Sequence, residues 1–349
     1  MTIIIFILVL LVCVLVHEWG HYITAKKSGM LVEEFGFGIP PRLWSFKKGE
    51  TKYSINALPI GGFVKIAGEN GLETDVPKER QFDAKPWYVK SLVLVAGVIM
   101  NFVLAVVLFG AAYMIGLPGV TENGTPTVIS VVKGSPTEKA GVVVGDTIQA
   151  VFVDGTKVSM LDTEHLHEAI VASKKDVTIS YMRDGTAHTA TLTPVAKDTG
   201  KIIGVSIESI GTVKQSLPQA IGHAWRQSVR LLGDIFGAIG HLVGGLFTGQ
   251  GSVEGLVGPV GLAREVGNAA TFGFAYLLAF TATISLNLAV LNILPFPALD
   301  GGRLIVVWGE AITRRKFSPT VVGVIHGLGF LLLVALMVIL TIGDIRNSL

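Results

Sequence analysis

A histidine, a glutamate and a second histidine lie close together in the segment HEWGH, residues 17–21. On a helix, His17 and His21 are four residues apart and therefore project from the same face. Two imidazoles at this spacing can bind one zinc ion through bonds of about 2.0–2.1 Å. Glu18 lies about 100° around the helix from His17, where it can take a proton from a water molecule activated by the metal. The segment therefore predicts a zinc site with hydrolytic chemistry.

These three ionisable residues continue an apolar run that begins at Thr2 and is long enough to cross a bilayer. Ionisable side chains inside such a segment are costly, and for that reason they usually have a function. The alternative is a pair of structural histidines and a glutamate that extends toward water near the helix end. We favour the metal site because all three residues fall within about one turn of helix.

A hydrolytic zinc site also needs a third protein ligand and an open position. Asp300 is our candidate because it follows the third long apolar run, residues 272–294. Its depth in the membrane is expected to match that of the histidines. Pro295 and Pro297 should end the preceding helix, and Gly301 and Gly302 should allow a sharp turn. The alternative is an ordinary turn aspartate at the end of a helix.

Among the polar residues in the apolar runs of the C-terminal half, three carry side chains that could have a specific role. Asn287 and Asn292 are about 140° apart on an unbroken helix, so both need not face the site. Asn292 is the better candidate to donate a hydrogen bond to a substrate carbonyl or oxyanion. For His326 in the last apolar run we expect helix packing or a hydrogen bond to the backbone.

The composition is that of a membrane protein. Half of the 349 residues are apolar and 15% are charged, whereas about a quarter are charged in a typical soluble domain. The net charge of +2 says little about a nucleic-acid partner, but the sequence has no basic stripe, and we expect no such partner. The single cysteine excludes a disulfide framework and leaves the redox compartment open.

We predict a polytopic α-helical membrane protein with about four transmembrane helices, each near the roughly 20 residues that cross a bilayer. The loops after the first and third spans are rich in lysine and arginine, so they should be cytoplasmic. The N-terminus, the long central segment and the C-terminus should then be extracytoplasmic, in a multi-pass protein of the inner or plasma membrane. The predicted spans are residues 3–25, 92–115, 272–294 and 321–342.

Two connecting segments have residue patterns that differ from those of the apolar runs. Residues 33–68 alternate apolar and polar side chains around a KKGE turn, which predicts a β-hairpin associated with the membrane. Residues 122–211 contain short strands, a helix predicted at 163–173 and Asp-Gly turns, as expected for a small inserted α+β domain. Residues 69–83 are expected to be a solvated loop. The membrane core is thus divided into residues 1–117 and 272–349, and residues 212–271 form a linker with an amphipathic helix at 220–247 that lies on the membrane or partly inserts.

HEWGH in a first span, NILPFPALDGG near a third and a small inserted domain together resemble the site-2 protease family of intramembrane zinc metalloproteases. The resemblance covers nearly the whole chain and is closest to the RseP-like type, the regulator of sigma-E proteases. Residues 134–155 resemble the core of a PDZ domain, and GPVG at 258–261 resembles a further family motif. Val98 stands where the family often has proline, although Asn101 and Phe102 remain.

The resemblance implies an endopeptidase that cuts transmembrane segments of single-span membrane proteins, such as anti-sigma-type regulators or signal peptides. It implies one zinc ion per chain and a strand that pairs with unwound substrate. The PDZ-like domain would recognise peptide C-termini or ectodomain remnants, or act as a steric plug. Two alternatives stay open: a non-proteolytic membrane scaffold or adaptor, and a transporter with a transit metal site. The implied site residues are His17, His21 and Asp300 as ligands, Glu18 as general base, Asn292 and Asn287 near the substrate, and Gly61, Gly62 and Phe63 in the strand.

Overall fold

The computed structural model describes residues 1–69, 75–158, 169–173, 176–183, 185–197, 200–248 and 258–348. The chain divides into two compact units. The first unit contains both ends of the chain, Met1–Ile115 and Ser216–Leu349, and the second is Gly116–Gln215. Every residue of the predicted metal site belongs to the first unit.

The first unit is mainly helical and the second is mainly β-structure. In chain order the elements are α1 (Thr2–Lys27), β1 (Val32–Lys48), β2 (Thr51–Ile66), two 3-10 turns (Lys78–Arg80 and Phe82–Ala84), α2 (Trp87–Ile115), β3 (Leu117–Val131), α3 (Pro136–Lys139), β4 (Thr147–Val153), β5 (Thr156–Val158), β6 (Val177–Arg183), β7 (Thr186–Leu192), β8 (Val195–Lys197), β9 (Gly200–Ile202), β10 (Val205–Val213), α4 (Leu217–Thr248), α5 (Pro259–Thr271), α6 (Phe274–Ile293), α7 (Asp300–Thr313) and α8 (Pro319–Ser348).

Within the described residues, four helices are long and apolar enough to cross a membrane: α1, α2, α6 and α8. They correspond to the four predicted spans, and α2 begins at Trp87 rather than at residue 92. The predicted hairpin is also present, as the antiparallel pair β1 and β2. The amphipathic segment forms α4, whose Ala220 and Ala224 are buried and whose Trp225 ring lies edge-on to Phe102 of α2. Its position relative to the membrane stays a prediction.

Small residues bring the spans of the first unit together. A Cβ added at Gly20 of α1 would collide with the carbonyl oxygen of Ala96 on α2, so the two backbones are in direct contact. Lipid gives two spans no hydrophobic reason to associate, and close packing of small residues therefore stabilises such pairs. Nearer the hairpin, a cluster of buried side chains joins α1, β1, β2, α2 and α7; it includes Ala25, Met30, Val32, Ile66, Phe82, Val93, Leu94, Leu304 and Val307.

Two expectations from the sequence were wrong. The run 69–83 is not simply solvated, because Phe82 is buried in this cluster and the Glu69 carboxylate pairs with Arg303 of α7. Gly301 and Gly302 do not form a turn but lie in the first turn of α7. They are needed for close approach, since a Cβ on either would collide with carbonyl oxygens of residues 293–296.

The last span, α8, is held to the described part of the protein at two polar points. Only 6% of its most apolar window is buried, so apolar packing contributes little. Near one end, the Nδ1 atom of His326 accepts a hydrogen bond from the Ala298 N–H at 2.9 Å. Near the other, the Asp344 carboxylate accepts from the N–H groups of Gly258 and Gly261 at 3.1 and 2.7 Å. This carboxylate caps the N-terminus of α5 and gives the GPVG segment a structural role.

The second unit is built on an antiparallel sheet in the order β10-β3-β4-β6-β7, with β5 paired to β4 and a separate β8-β9 pair. Its core contains Val128, Val151, Ile179 and Leu192. Residues 169–172 are helical, which is the end of the helix predicted at 163–173; residues 159–168 lie outside the described part of the chain. The assignment of this unit as PDZ-like stays a prediction.

Asp146 fixes the turn that leads into β4. Its side chain is 1% exposed and accepts hydrogen bonds from Nε and Nη2 of Arg183, both at 2.7 Å, and from the Val143 N–H at 2.9 Å. Burial alone would raise the pKa of Asp146, but the Arg183 guanidinium and the Val143 N–H outweigh it and lower the pKa below its usual value.

We expect Asp146→Asn to destabilise the second unit by about 2 kcal/mol, because Arg183 loses a charged partner. The folded-state pKa is the lower one, so the stabilisation is complete above the unfolded-state pKa of about 3.9 and is lost as the pH falls through the folded-state pKa. Hydrogen exchange of β4 and β6 in the full chain measures both effects. As a control, Asp176→Asn removes an exposed carboxylate that accepts from Thr193; it should change stability by less than about 0.5 kcal/mol. Equal effects of the two substitutions would contradict this account.

Candidate metal centre

Helix α1 places the two imidazoles of HEWGH on one face, as their spacing predicts. The Nε2 atoms of His17 and His21 are 3.1 Å apart, and both residues are buried. Gly97 of α2 faces them, and a Cβ there would collide with both rings. A glycine at this position therefore gives the imidazoles their space.

Asp300, the first residue of α7, completes the cluster from the far end of the chain. Its Oδ2 atom lies 3.1 Å from Nε2 of His17 and 3.3 Å from Nε2 of His21. A tetrahedral zinc ion with bonds of about 2.0–2.1 Å holds its ligand atoms about 3.3 Å apart. The three atoms, two imidazole nitrogens and one carboxylate oxygen, therefore fit zinc in both chemistry and spacing.

The histidines also keep Asp300 ionised. Burial alone would raise the pKa of this carboxyl group, but hydrogen bonds from His17 and His21 and the attraction of their rings lower the pKa well below its usual range. The carboxylate form is the one that binds a metal ion.

Helix α2 fixes the orientation of both imidazoles. The Nδ1 atom of His21 lies 2.8 Å from the Val93 carbonyl oxygen, which directs Nε2 toward the cluster. The Nδ1 atom of His17 lies 3.4 Å from the side-chain nitrogen of Asn101. The Oδ1 atom of Asn101 is buried and has no hydrogen-bond partner among the described residues. Turning this amide by about 180° lets Oδ1 accept a hydrogen bond from Nδ1–H of the His17 ring.

The two asparagines of α6 have different surroundings. The side-chain nitrogen of Asn292, at the end of α6, lies 3.4 Å from Nε2 of His17, so this amide borders the cluster. The side-chain nitrogen of Asn287 instead donates to the Thr283 carbonyl one turn back on its own helix. The structure thus brings Asn292, and not the Asn287 amide nitrogen, to the imidazoles.

Strand β2 runs beside Glu18. A Cβ added at Gly62 would lie 3.0 Å from Cγ of Glu18 and 2.9 Å from Cγ1 of Val14. Gly61 has a φ of 80°, in the left-handed region that favours glycine, and Phe63 pairs with Gly36 of β1. The first half of β2 is paired with β1 on both of its edges, whereas within the described residues 62–66 pair only with residues 32–37 of β1. The outer edge of residues 62–66 therefore offers unpaired backbone groups.

A cavity of about 460 Å³ lies beside α7. Arg303, three residues after Asp300, lines it together with Glu69, Glu310 and His326. Burial raises the pKa of Glu69, although the neighbouring Arg303 acts in the opposite direction. The cavity therefore places ionisable groups close to the helix that carries Asp300.

Sequence reasoning identified the three clustered residues and missed the residues that hold them. Gly97 and Asn101 are four residues apart on α2 and share a face. Their spacing within the second apolar run is the feature of the sequence that could have identified them. His326 does make the hydrogen bond to the backbone that was expected of it.

Comparisons with known proteins match the chain over almost its full length. A "Putative zinc metalloprotease" of Clostridium perfringens is 36% identical over 334 residues, 95% of each chain. A protein of the same description from Clostridium acetobutylicum is 34% identical over 348 residues, 99% of this chain and 97% of its own. "Zinc metalloprotease RasP" of Shouchella clausii is 30% identical over 431 aligned positions, covering 99% of each chain.

The alignment with the Shouchella clausii protein is longer than the 349 residues of this chain, so at least 82 of its positions have no counterpart here. The sequence model of the family described as "Peptidase family M50" matches residues 5–336. That match spans both halves of the helical unit, including the histidine pair and Asp300. The chain belongs to peptidase family M50.

Proposed function

We propose that this chain is an intramembrane zinc-dependent endopeptidase of the site-2 type, which cleaves transmembrane segments of single-span membrane proteins. The observation that carries the proposal is the 3.1–3.3 Å spacing of the ligand atoms of His17, His21 and Asp300. The names of its relatives, which are zinc metalloproteases, support the same metal and the same reaction class.

Zinc bound by these residues would polarise the substrate carbonyl and lower the pKa of a water molecule toward about 7. Glu18, one residue after the first ligand, accepts a proton from this water and passes it to the departing amine. The Asn292 amide, which borders His17, donates a hydrogen bond to the developing oxyanion. Asn287 has a weaker claim to this role because its amide nitrogen is bonded within α6.

The substrate must be extended before it is cut, because each carbonyl of an intact helix is held by the N–H four residues later. The free edge of β2 at Gly61, Gly62 and Phe63 supplies backbone groups for an unwound segment, and it does so beside Glu18. Suitable substrates are single-span regulators of the anti-sigma type and signal peptides.

Lysine and arginine in the loops after α1 and α6 orient the active site toward the cytoplasm. Residues 116–215 would then be extracytoplasmic. They would act as a PDZ-like domain that binds peptide C-termini or excludes substrates with bulky ectodomains.

The first alternative hypothesis is a membrane scaffold or adaptor that binds peptides through its β-rich unit. The second is a transporter. Neither uses Glu18 as a base. A substitution there therefore separates both from the endopeptidase.

Glu18→Gln should slow cleavage by about 10²–10⁴-fold, since an amide cannot accept the proton. Zinc content should remain one ion per chain, because Glu18 is not a ligand. Cleavage is measured with full-length protein in vesicles that contain a tagged single-span substrate. Removal of zinc with a chelator should abolish cleavage, and added zinc should restore it.

The matched control is Glu33→Gln, which removes an ion pair with Lys65 on the hairpin and should leave the rate nearly unchanged. Cleavage that survives Glu18→Gln would refute the endopeptidase assignment.

Asn101→Leu should weaken zinc binding by about 10–100-fold, because His17 loses the group that orients its ring. Competition with a chromophoric chelator measures the affinity. Asn287→Leu removes an amide bonded to its own helix and should leave the affinity unchanged. Equal affinities of the two variants would show that Asn101 does not orient His17.

A further inference from the structure

We infer that His326 is a positioning residue for Asp300: from the fourth span it holds the loop that sets where the carboxylate lies. The inference rests on the zinc site proposed above and extends it to a helix that contributes none of the proposed ligands.

The loop between α6 and α7, residues 294–299, has two internal backbone hydrogen bonds, from the Phe296 N–H to the Leu294 carbonyl at 2.7 Å and from the Leu299 N–H to the Phe296 carbonyl at 3.2 Å. Neither involves the Ala298 N–H. Pro295 and Pro297 have no N–H group to donate. Ala298 has a φ of 79°, a left-handed conformation that its Cβ disfavours. Such a conformation persists only where the surroundings impose it.

His326 supplies that constraint. Its Nδ1 atom accepts the Ala298 N–H at 2.9 Å, between positions 28 residues apart in the chain. At membrane depth an N–H without a partner is costly, because no bulk water can replace the acceptor. This hydrogen bond therefore favours the left-handed conformation of Ala298.

Gly329 makes a second contact on the same face of α8. A Cβ there would lie 2.6 Å from both Cβ and the carbonyl oxygen of Pro297. The backbone of α8 thus lies directly against Pro297, one residue before the hydrogen-bonded Ala298. Two consecutive loop residues are thus contacted by α8 residues about one helical turn apart, Pro297 by the backbone at Gly329 and Ala298 by the His326 side chain.

The position of Ala298 is transmitted to Asp300 over two residues. The Leu299 carbonyl accepts from the N–H groups of Gly302 and Arg303 at 3.1 and 3.2 Å, so α7 starts directly from the loop. Close packing of Gly301 and Gly302 against residues 293–296 leaves α7 no room to shift independently. Metal ligation tolerates only about 0.2 Å of error in ligand distance, so movement of the loop weakens the site.

The test uses the full-length protein in detergent, with Zn²⁺ affinity measured by chelator competition and Co²⁺ absorption as a probe of ligand geometry. His326→Leu should lower Zn²⁺ affinity by about 10–100-fold and alter the Co²⁺ spectrum. Leucine favours membrane helices, so the span itself should insert. His326→Asn, whose Oδ1 can take the place of Nδ1, should retain affinity within about threefold.

A second pair of variants tests the contact at Pro297 without touching the histidine. Gly329→Ala should displace the loop and lower Zn²⁺ affinity in the same way. Gly327→Ala, two residues earlier on α8, meets no described atom within 4 Å and should bind Zn²⁺ like the unmodified chain.

His326→Leu and Gly329→Ala variants with unchanged affinity and spectrum would overturn the role of His326 alone. Zn²⁺ binding that persists after substitution of both His17 and His21 would overturn the proposed function, and this inference with it.

Discussion

The meeting of one carboxylate with two imidazoles inside a bundle of apolar helices is the constraint on which the rest of the structure depends. His17 and Asp300 are 283 positions apart in the chain, yet their ligand atoms are 3.1 Å apart. Buried ionisable groups are costly unless they are paired or bind a metal ion. Holding them together therefore requires several helices to meet at one depth, and the packing of the first unit achieves this.

The three residues in the cluster are oriented by partners on two other helices. The Val93 carbonyl and Asn101, both on α2, face the outer ring nitrogens of His21 and His17. The loop before Asp300 is held from α8 by His326. These partners form an outer layer around the proposed metal site, and such outer partners commonly affect metal affinity strongly.

Glycine makes these approaches possible. Gly20 and Gly97 bring α2 against α1 and its histidines, and Gly329 brings α8 against the loop before Asp300. In each case a single methyl group would occupy space already filled by backbone, an imidazole or a proline. This agrees with a membrane environment, where small residues in close contact replace the hydrophobic effect as the means of helix association.

The sequence was sufficient to predict what depends on composition and local spacing. The apolar runs predicted the four spans, and the spacing of His17 and His21 predicted a shared face. The sequence was insufficient where one residue type can serve two purposes. Gly301 and Gly302 suggested a turn, but the left-handed residue is Ala298 and the two glycines allow close packing. Helix α7 was missed because prolines and glycines mask its start.

The groups that Asn101 and His326 contact could not be predicted, for a different reason. The periodicity of a helix shows which residues share a face but not which helix lies opposite. Asn101 and His326 are unremarkable until α2 and α8 are placed against α1 and the loop. Contacts of this kind depend on the tertiary arrangement alone.

The proposed chemistry lies in only one of the two units. The proposed ligands, the general base and their orienting residues all come from the first unit, although the second is inserted between its halves. Residues 116–215 can therefore vary without altering the spacing of the cluster. The relative from Shouchella clausii, with at least 82 additional positions, shows that chains of this family differ in length by as much as a small domain. The proposed metal site can accommodate such differences, because all of its ligands come from α1 and α7 and none comes from the inserted segment.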